Sequence, residues 1–224
     1  MAASLPWRGV LYAAGLSAIA GFIDAVAYLH LGGYFVSFMS GNSTRASADL
    51  ARGSFTGAAL ALGLVGFFVL GVVVGTLLSR RRTTNQRTRS LTVATVLLLA
   101  ASILGLWPSS EALTPPLLAA AMGATNTSYT RNGEVSIGLT YMTGTLVKLG
   151  QHLSNALTGG SKTSWLRYLT LWAMISVGAI AGANSYHYFG LPSLWLACFM
   201  LLGWTLISVA RREAASSQGD SANG

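Results

Sequence analysis

Between Gly57 and Ser79 the chain runs for 23 residues without one charged side chain. In water such a stretch would have to be wholly enclosed. In a bilayer it is an ordinary transmembrane helix, because every backbone N–H and C=O finds its partner within the segment. Four more apolar runs follow from the pattern, with at most one charged side chain each: Gly9–His30, Leu91–Trp107, Leu166–Tyr188 and Pro192–Ala210. All five are within the length that crosses a hydrocarbon core about 30 Å thick. A sixth run, Pro115–Tyr129, is short, and its second half is polar (Thr125 to Tyr129). It reads as a span that is broken or sheltered inside the bundle. Only 9% of the residues are charged, against about 25% in a soluble domain. That composition argues against a soluble enzyme and against a disordered chain. The expectation is one all-α membrane domain over residues 1–210 with six transmembrane helices, followed by a disordered cytoplasmic tail over 211–224.

The few charges carry the topology. Lys and Arg total 14, Asp and Glu 6, for a net charge of +8. With six spans and the five-arginine stretch 80–89 inside, 12 of the 14 cations fall on the cytoplasmic side. Both termini are then cytoplasmic, and Arg45 and Arg52 are the exceptions outside. Cations placed this way set orientation; without a basic face of interleaved aromatics they do not indicate nucleic acid. The lone Cys198 cannot form an internal disulfide, and no metal-ligand spacing occurs. The sequence around Ala18-Ile19-Ala20 resembles a signal cleavage site, but the apolar pattern continues to Leu31, so the segment is read as an uncleaved first span.

The chain also repeats itself. Gly21-Phe22-Ile23-Asp24 matches Gly123-Ala124-Thr125-Asn126, 102 positions on. Met39-Ser40-Gly41-Asn42 matches Met142-Thr143-Gly144-Thr145 at 103, and Gly71/Gly75 matches Gly178/Gly182 at 107. The first repeat covers about 9–82 and the second about 113–210. Three spans per half is an odd number, so the halves enter from opposite sides, an inverted-topology repeat. These paired motifs, with Gly32-Gly33-Tyr34-Phe35-Val36 in the first half and Thr140-Tyr141 in the second, resemble those of the YoaK-like family of bacterial multi-pass membrane proteins, a domain of unknown function. Ser40 stands where that family more often has Thr, and it keeps the hydroxyl. The resemblance implies a membrane fold and names no substrate.

Asp24 is the only acid inside a predicted span, six residues or about 9 Å of rise from His30. An acid there marks either a proton or cation position or a helix-to-helix hydrogen bond. Asn126, its neutral counterpart, makes the two halves unequal. Ser40, Gly41 and Asn42 in one half, and Thr143, Gly144 and Thr145 in the other, crowd hydroxyls and glycines where helices break. They are candidates to bind a small solute or ion, or else to cap helix ends. Arg45 and Lys148 follow the two motifs at matching positions; snorkelling to the interface explains them better than attraction of an anion. The glycine pairs are expected to let helices approach closely.

No GxSxG, phosphate-binding loop, HExxH or carboxylate pair is present. The expectation is no enzyme, no cofactor and no nucleic-acid partner. The leading reading is a small secondary transporter or channel for a small solute or ion, in contact with the lipid bilayer. The alternative is a non-transporting accessory or scaffold subunit. Assembly as a homo-oligomer is compatible with either.

Overall fold

The structure is a computed structural model that describes residues 6–80, 86–131, 134–135 and 138–221; at 79–80, 130–131, 134–135 and 211–221 it describes the backbone alone. Arg81 and Arg82 of the arginine-rich loop lie outside the described residues. The regular secondary structure of the described residues is helical apart from two two-residue strands. Its helices are α1 (Trp7–His30), α2 (Met39–Ala51), α3 (Phe55–Arg80), α4 (Gln86–Leu104), α5 (Thr114–Asn126), α6 (Met142–Leu157), α7 (Ser164–Phe189) and α8 (Leu194–Ser221). Strands β1 (Thr130–Arg131) and β2 (Glu134–Val135) pair antiparallel just after α5. The helical backbone of α8 continues through Ser221, into the stretch whose composition reads as a tail.

Among the described residues, five helices are long and apolar enough to cross a membrane: α1, α3, α4, α7 and the apolar part of α8, Leu191–Ala210 with the turn before it. The short sixth run becomes α5. Its 13 residues give about 20 Å of helix, too little to cross unaided. It is instead enclosed, with Leu118, Ala119, Ala121, Met122 and Ala124 buried. Pro115 and Pro116 start it, at positions where a missing N–H costs nothing.

α1 is the centre of the bundle. Within its apolar window 72% of the residues are buried, against 22–33% in the other four spanning candidates. Leu16 and Ile23 of α1 meet a core that includes Leu64, Leu91, Leu98, Leu118, Met122, Leu194 and Leu201. The outward faces of α3, α4, α7 and α8 are lined with Leu, Val, Ile and Phe. That is the surface a bilayer solvates.

Helix contacts are made through glycine, as the sequence suggests. A Cβ on Gly178 would overlap the carbonyl of Ala18, and one on Gly182 the carbonyl of Phe22, so α7 lies directly on α1. A Cβ on Gly71 would overlap the carbonyl of Ala120, and one on Gly75 would crowd Ala124, so α3 lies on α5. Reciprocally, Gly21 faces the carbonyl of Ile175 and Gly123 that of Phe68. The contact partners Ala18 and Ala120, Phe22 and Ala124, are 102 positions apart; Ile175 and Phe68 are 107 apart. The close approaches of one half thus recur in the other at the offsets of the sequence repeat.

Like α5, α2 and α6 are too short to span, at 13 and 16 residues. Each starts at its motif methionine and ends two residues before a positive-φ glycine, Gly53 (φ 74°) or Gly159 (φ 95°). α2 packs on α3, and α6 on α7. α2 buries Asn42, Ala46 and Asp49, whereas α6 buries nothing.

Candidate binding cavity between the two motifs

The motif residues do not cap helices. Phe38 and Tyr141 occupy the N-cap positions of α2 and α6, and neither makes a side-chain cap bond. The hydroxyls of Ser43, Thr44 and Thr145 turn back to the carbonyls of Met39, Ser40 and Tyr141 in their own helices. The breaks in the chain precede the motifs, at residues 31–38 and 138–141, and the motif glycines lie in the first helical turn. Gly41 is required there because a side chain would strike the rings of Phe38 and Phe35; Gly144 has open space around it.

The segments upstream of the motifs are held by the two residues singled out in the repeat. Asp24 Oδ1 accepts the backbone N–H of Val36 (2.8 Å) and of Ser37 (2.9 Å). Asn126 Oδ1 accepts the hydroxyl of Thr140 at 3.3 Å, while its Nδ2 donates to Met122 O at 3.0 Å. Thr140 is the counterpart of Ser37, 103 positions on. In each half, the polar residue near the end of a helix ties down the stretch that leads into the short helix. Asp24 therefore has a definite structural bond. Leu139 O, beside Thr140, accepts the hydroxyl of Ser17 on α1.

These stretches meet. A cavity of about 350 Å³ is lined by Ser37, Phe38, Met39 and Ser40 from the first half, Thr140, Tyr141, Met142, Thr143 and Gly144 from the second, and Phe68 of α3. Of the candidate residues, Ser40, Thr143 and Gly144 line it directly. Asp24 and Asn126 stand behind its wall, each bonded to a lining residue. Gly41, Asn42 and Thr145 do not line it. Asn42 is fully buried and acts as a clamp: its Oδ1 accepts Phe35 N–H at 2.9 Å and its Nδ2 donates to Phe35 O at 2.6 Å. Thr145, its counterpart, bonds only within α6.

Asp24 also lines a second cavity, of about 460 Å³, with Tyr28, Phe35, Trp172 and Ser176 among its walls. Met142 borders both cavities.

Residues 12–207 match the family described as "Protein of unknown function (DUF1275)". The chain belongs to the DUF1275 family. A relative from Rhizobium meliloti (strain 1021), the UPF0700 transmembrane protein RA0705, is 33% identical over 206 residues, covering 91% of this chain and 88% of the relative. No solved structure matches the chain. As a DUF1275 protein with five membrane-length helices, the chain is a transmembrane protein.

Three polar clusters went unread in the sequence. Asp49 is buried on α2; Tyr34 donates to its Oδ2 at 2.7 Å, and Arg45 approaches the same oxygen at 3.8 Å. Arg45 also donates to Gly32 O and lies over the Tyr34 ring, 4.7 Å from its centroid. These contacts close the 31–38 loop onto α2. The Arg45/Asp49 spacing, i to i+4, was the available signal. The hydrogen bond to Asp49 raises the Tyr34 phenol above its usual value of 10. At a second place, His30 Nε2 lies 3.2 Å from Glu111 and its Nδ1 3.3 Å from Tyr186 Oη, which joins α1 to α7 and to the turn before α5. At the third, the guanidinium of Arg87 lies over the rings of Tyr129 (4.3 Å) and Tyr12 (5.5 Å). His152 belongs to α6, where it bonds Ser164 Oγ and stacks on Tyr168.

Proposed function

We propose that this DUF1275 protein is a small secondary transporter or channel of the YoaK-like type, built as two inverted three-span repeats with α5 as the sixth, sheltered crossing. The observation that carries the reading is the cavity lined by the matching segments of both halves. A site shared by two repeats is where alternating access places its solute, because rocking one half against the other exposes the same residues to each side in turn. The glycine contacts that recur at the repeat offsets support the inverted architecture. The hydroxyls of Ser37, Ser40, Thr140 and Thr143 beside Met39 and Met142 suit a small polar solute or a weakly held ion. Ser40 and Thr143 would contact it, and Asp24 and Asn126 would position the wall. The distribution of Lys and Arg supports an inner-membrane location with both termini cytoplasmic. The reading includes no enzymatic step and no cofactor.

Osmotic swelling of proteoliposomes tests this without knowledge of the solute. Stopped-flow light scattering is recorded with a panel of small polyols, amides, amino acids and salts. At least one solute should enter faster than into protein-free vesicles, and Thr143→Trp, which fills the cavity, should abolish the difference. If no solute outpaces the protein-free rate, the scaffold reading replaces transport.

A further inference from the structure

We propose that the second cavity is a binding site for a monovalent organic cation with an apolar body, such as an alkyl- or aryl-substituted ammonium. The inference deepens the transport reading: that such a cation is the cargo rests on it, whereas the binding does not. Charge complementarity carries the argument. Among the described residues that line the cavity, Asp24 is the one acid, and no Lys, Arg or His lines it. Its Oδ1 is engaged by two backbone amides, which do not cancel a carboxylate's charge. No described Lys, Arg or His forms an ion pair with it. Charged groups at membrane depth are otherwise paired or placed on a pathway.

The rest of the wall is what an ammonium ligand's body requires. Tyr28, Phe35 and Trp172 border the cavity together with Leu29, Ile175 and Met142. The Tyr28 and Phe35 rings pack with centroids 5.0 Å apart. Tyr28 and Trp172 keep 43% and 37% of their surface open, so they have ring area left for a ligand. Aromatic faces around a cation add attraction without a second counter-charge. Gly21, Ala25, Ala179 and Ala183 keep the space clear. The volume of about 460 Å³ is within the range of small-molecule sites. Bare Na⁺ or K⁺ fits poorly, because a dehydrated metal ion needs several oxygens and this wall supplies few.

The test uses full-length protein in a non-ionic detergent, with radiolabelled benzyltrimethylammonium as probe and scintillation proximity as readout. Its neutral carbon isostere, neopentylbenzene, is the competitor. Expected is saturable binding that the isostere fails to displace. Asp24→Asn, which retains an oxygen for the two amides, should weaken it at least tenfold. Trp172→Leu should weaken it roughly three- to tenfold; its side chain holds no hydrogen bond among the described residues, so it reports on the site if Asp24→Asn does not fold. Absence of saturable binding, equal displacement by the isostere, or unchanged affinity in both variants overturns the proposal. Cation binding in detergent with no solute flux in proteoliposomes would uphold the site and remove transport. Flux of other solutes with no cation binding would remove the site and leave transport.

Discussion

Substituting Gly178 by Ala tests how the helices of this protein are held together. The added methyl would overlap the backbone carbonyl of Ala18 on α1. Backbone cannot swing aside as a side chain can, so α7 and α1 must separate locally. Overpacking of this kind costs about 1–3 kcal/mol. Against it stands the better helix propensity of Ala, up to about 1 kcal/mol. The control is Gly63→Ala on α3, where nothing lies within 4 Å of the new methyl. It gains the same propensity and meets no overlap, so propensity cancels in the comparison. Gly178→Ala should therefore be less stable than Gly63→Ala by about 1–3 kcal/mol. Gly71→Ala, which strikes Ala120 of α5, should behave like Gly178→Ala. Equilibrium unfolding in mixed micelles, driven by SDS and followed by near-UV circular dichroism, measures the differences. Equal stabilities of Gly178→Ala and Gly63→Ala within about 0.5 kcal/mol would refute backbone contact at the α1–α7 crossing.

Tyr34→Phe should cost about 1.5–3 kcal/mol, because the buried Asp49 carboxylate loses a charge-assisted partner. The phenol is raised in the folded state, so its contribution is whole below pH 10 and is lost as pH climbs through the folded-state value. The stability gap between wild type and Tyr34→Phe should shrink only at such alkaline pH, as thermal unfolding in detergent across a pH series would record. Asn42→Leu should cost about 2–4 kcal/mol by stranding the N–H and C=O of Phe35. Thr145→Val at the corresponding place on α6 should change stability by less than about 0.5 kcal/mol, since its hydroxyl bonds only within its own helix. The same unfolding assay separates the two.

The spans were legible because lipid demands uncharged helix-length runs, and such runs can be counted. The glycine contacts were legible for a related reason: Gly71/Gly75 and Gly178/Gly182 stand at one-turn spacing within apolar helices. The repeat offsets located Asp24 and Asn126 as counterparts, and in the structure each does tie down the stretch leading into the next short helix. The hydrophobic pattern could not show that the motif stretches form separate helices, α2 and α6. Their hydroxyl-rich starts read as breaks, and the breaks fall a few residues earlier. Asp49 was missed because it lies in a polar stretch, where an acid is expected to be solvated; only the fold of residues 31–38 over α2 buries it. The cavity wall pairs residues about a hundred positions apart, a juxtaposition that no local pattern encodes.

The proposed transport requires that Ser40 and Thr143 face one cavity that opens to both sides of the membrane in turn. Cysteine accessibility tests it directly. Cys198, the only native cysteine, is buried beside Ser102 and can be replaced by Ala to give a silent background. In that background Ser40→Cys and Thr143→Cys are treated, in oriented proteoliposomes, with a membrane-impermeant maleimide from one side or the other, and Thr125→Cys, buried in α5, serves as the unreactive reference. Reaction of both Ser40→Cys and Thr143→Cys from each side is the expected result. Reaction of neither, or of each from one fixed side only, would contradict a shared, alternately exposed cavity.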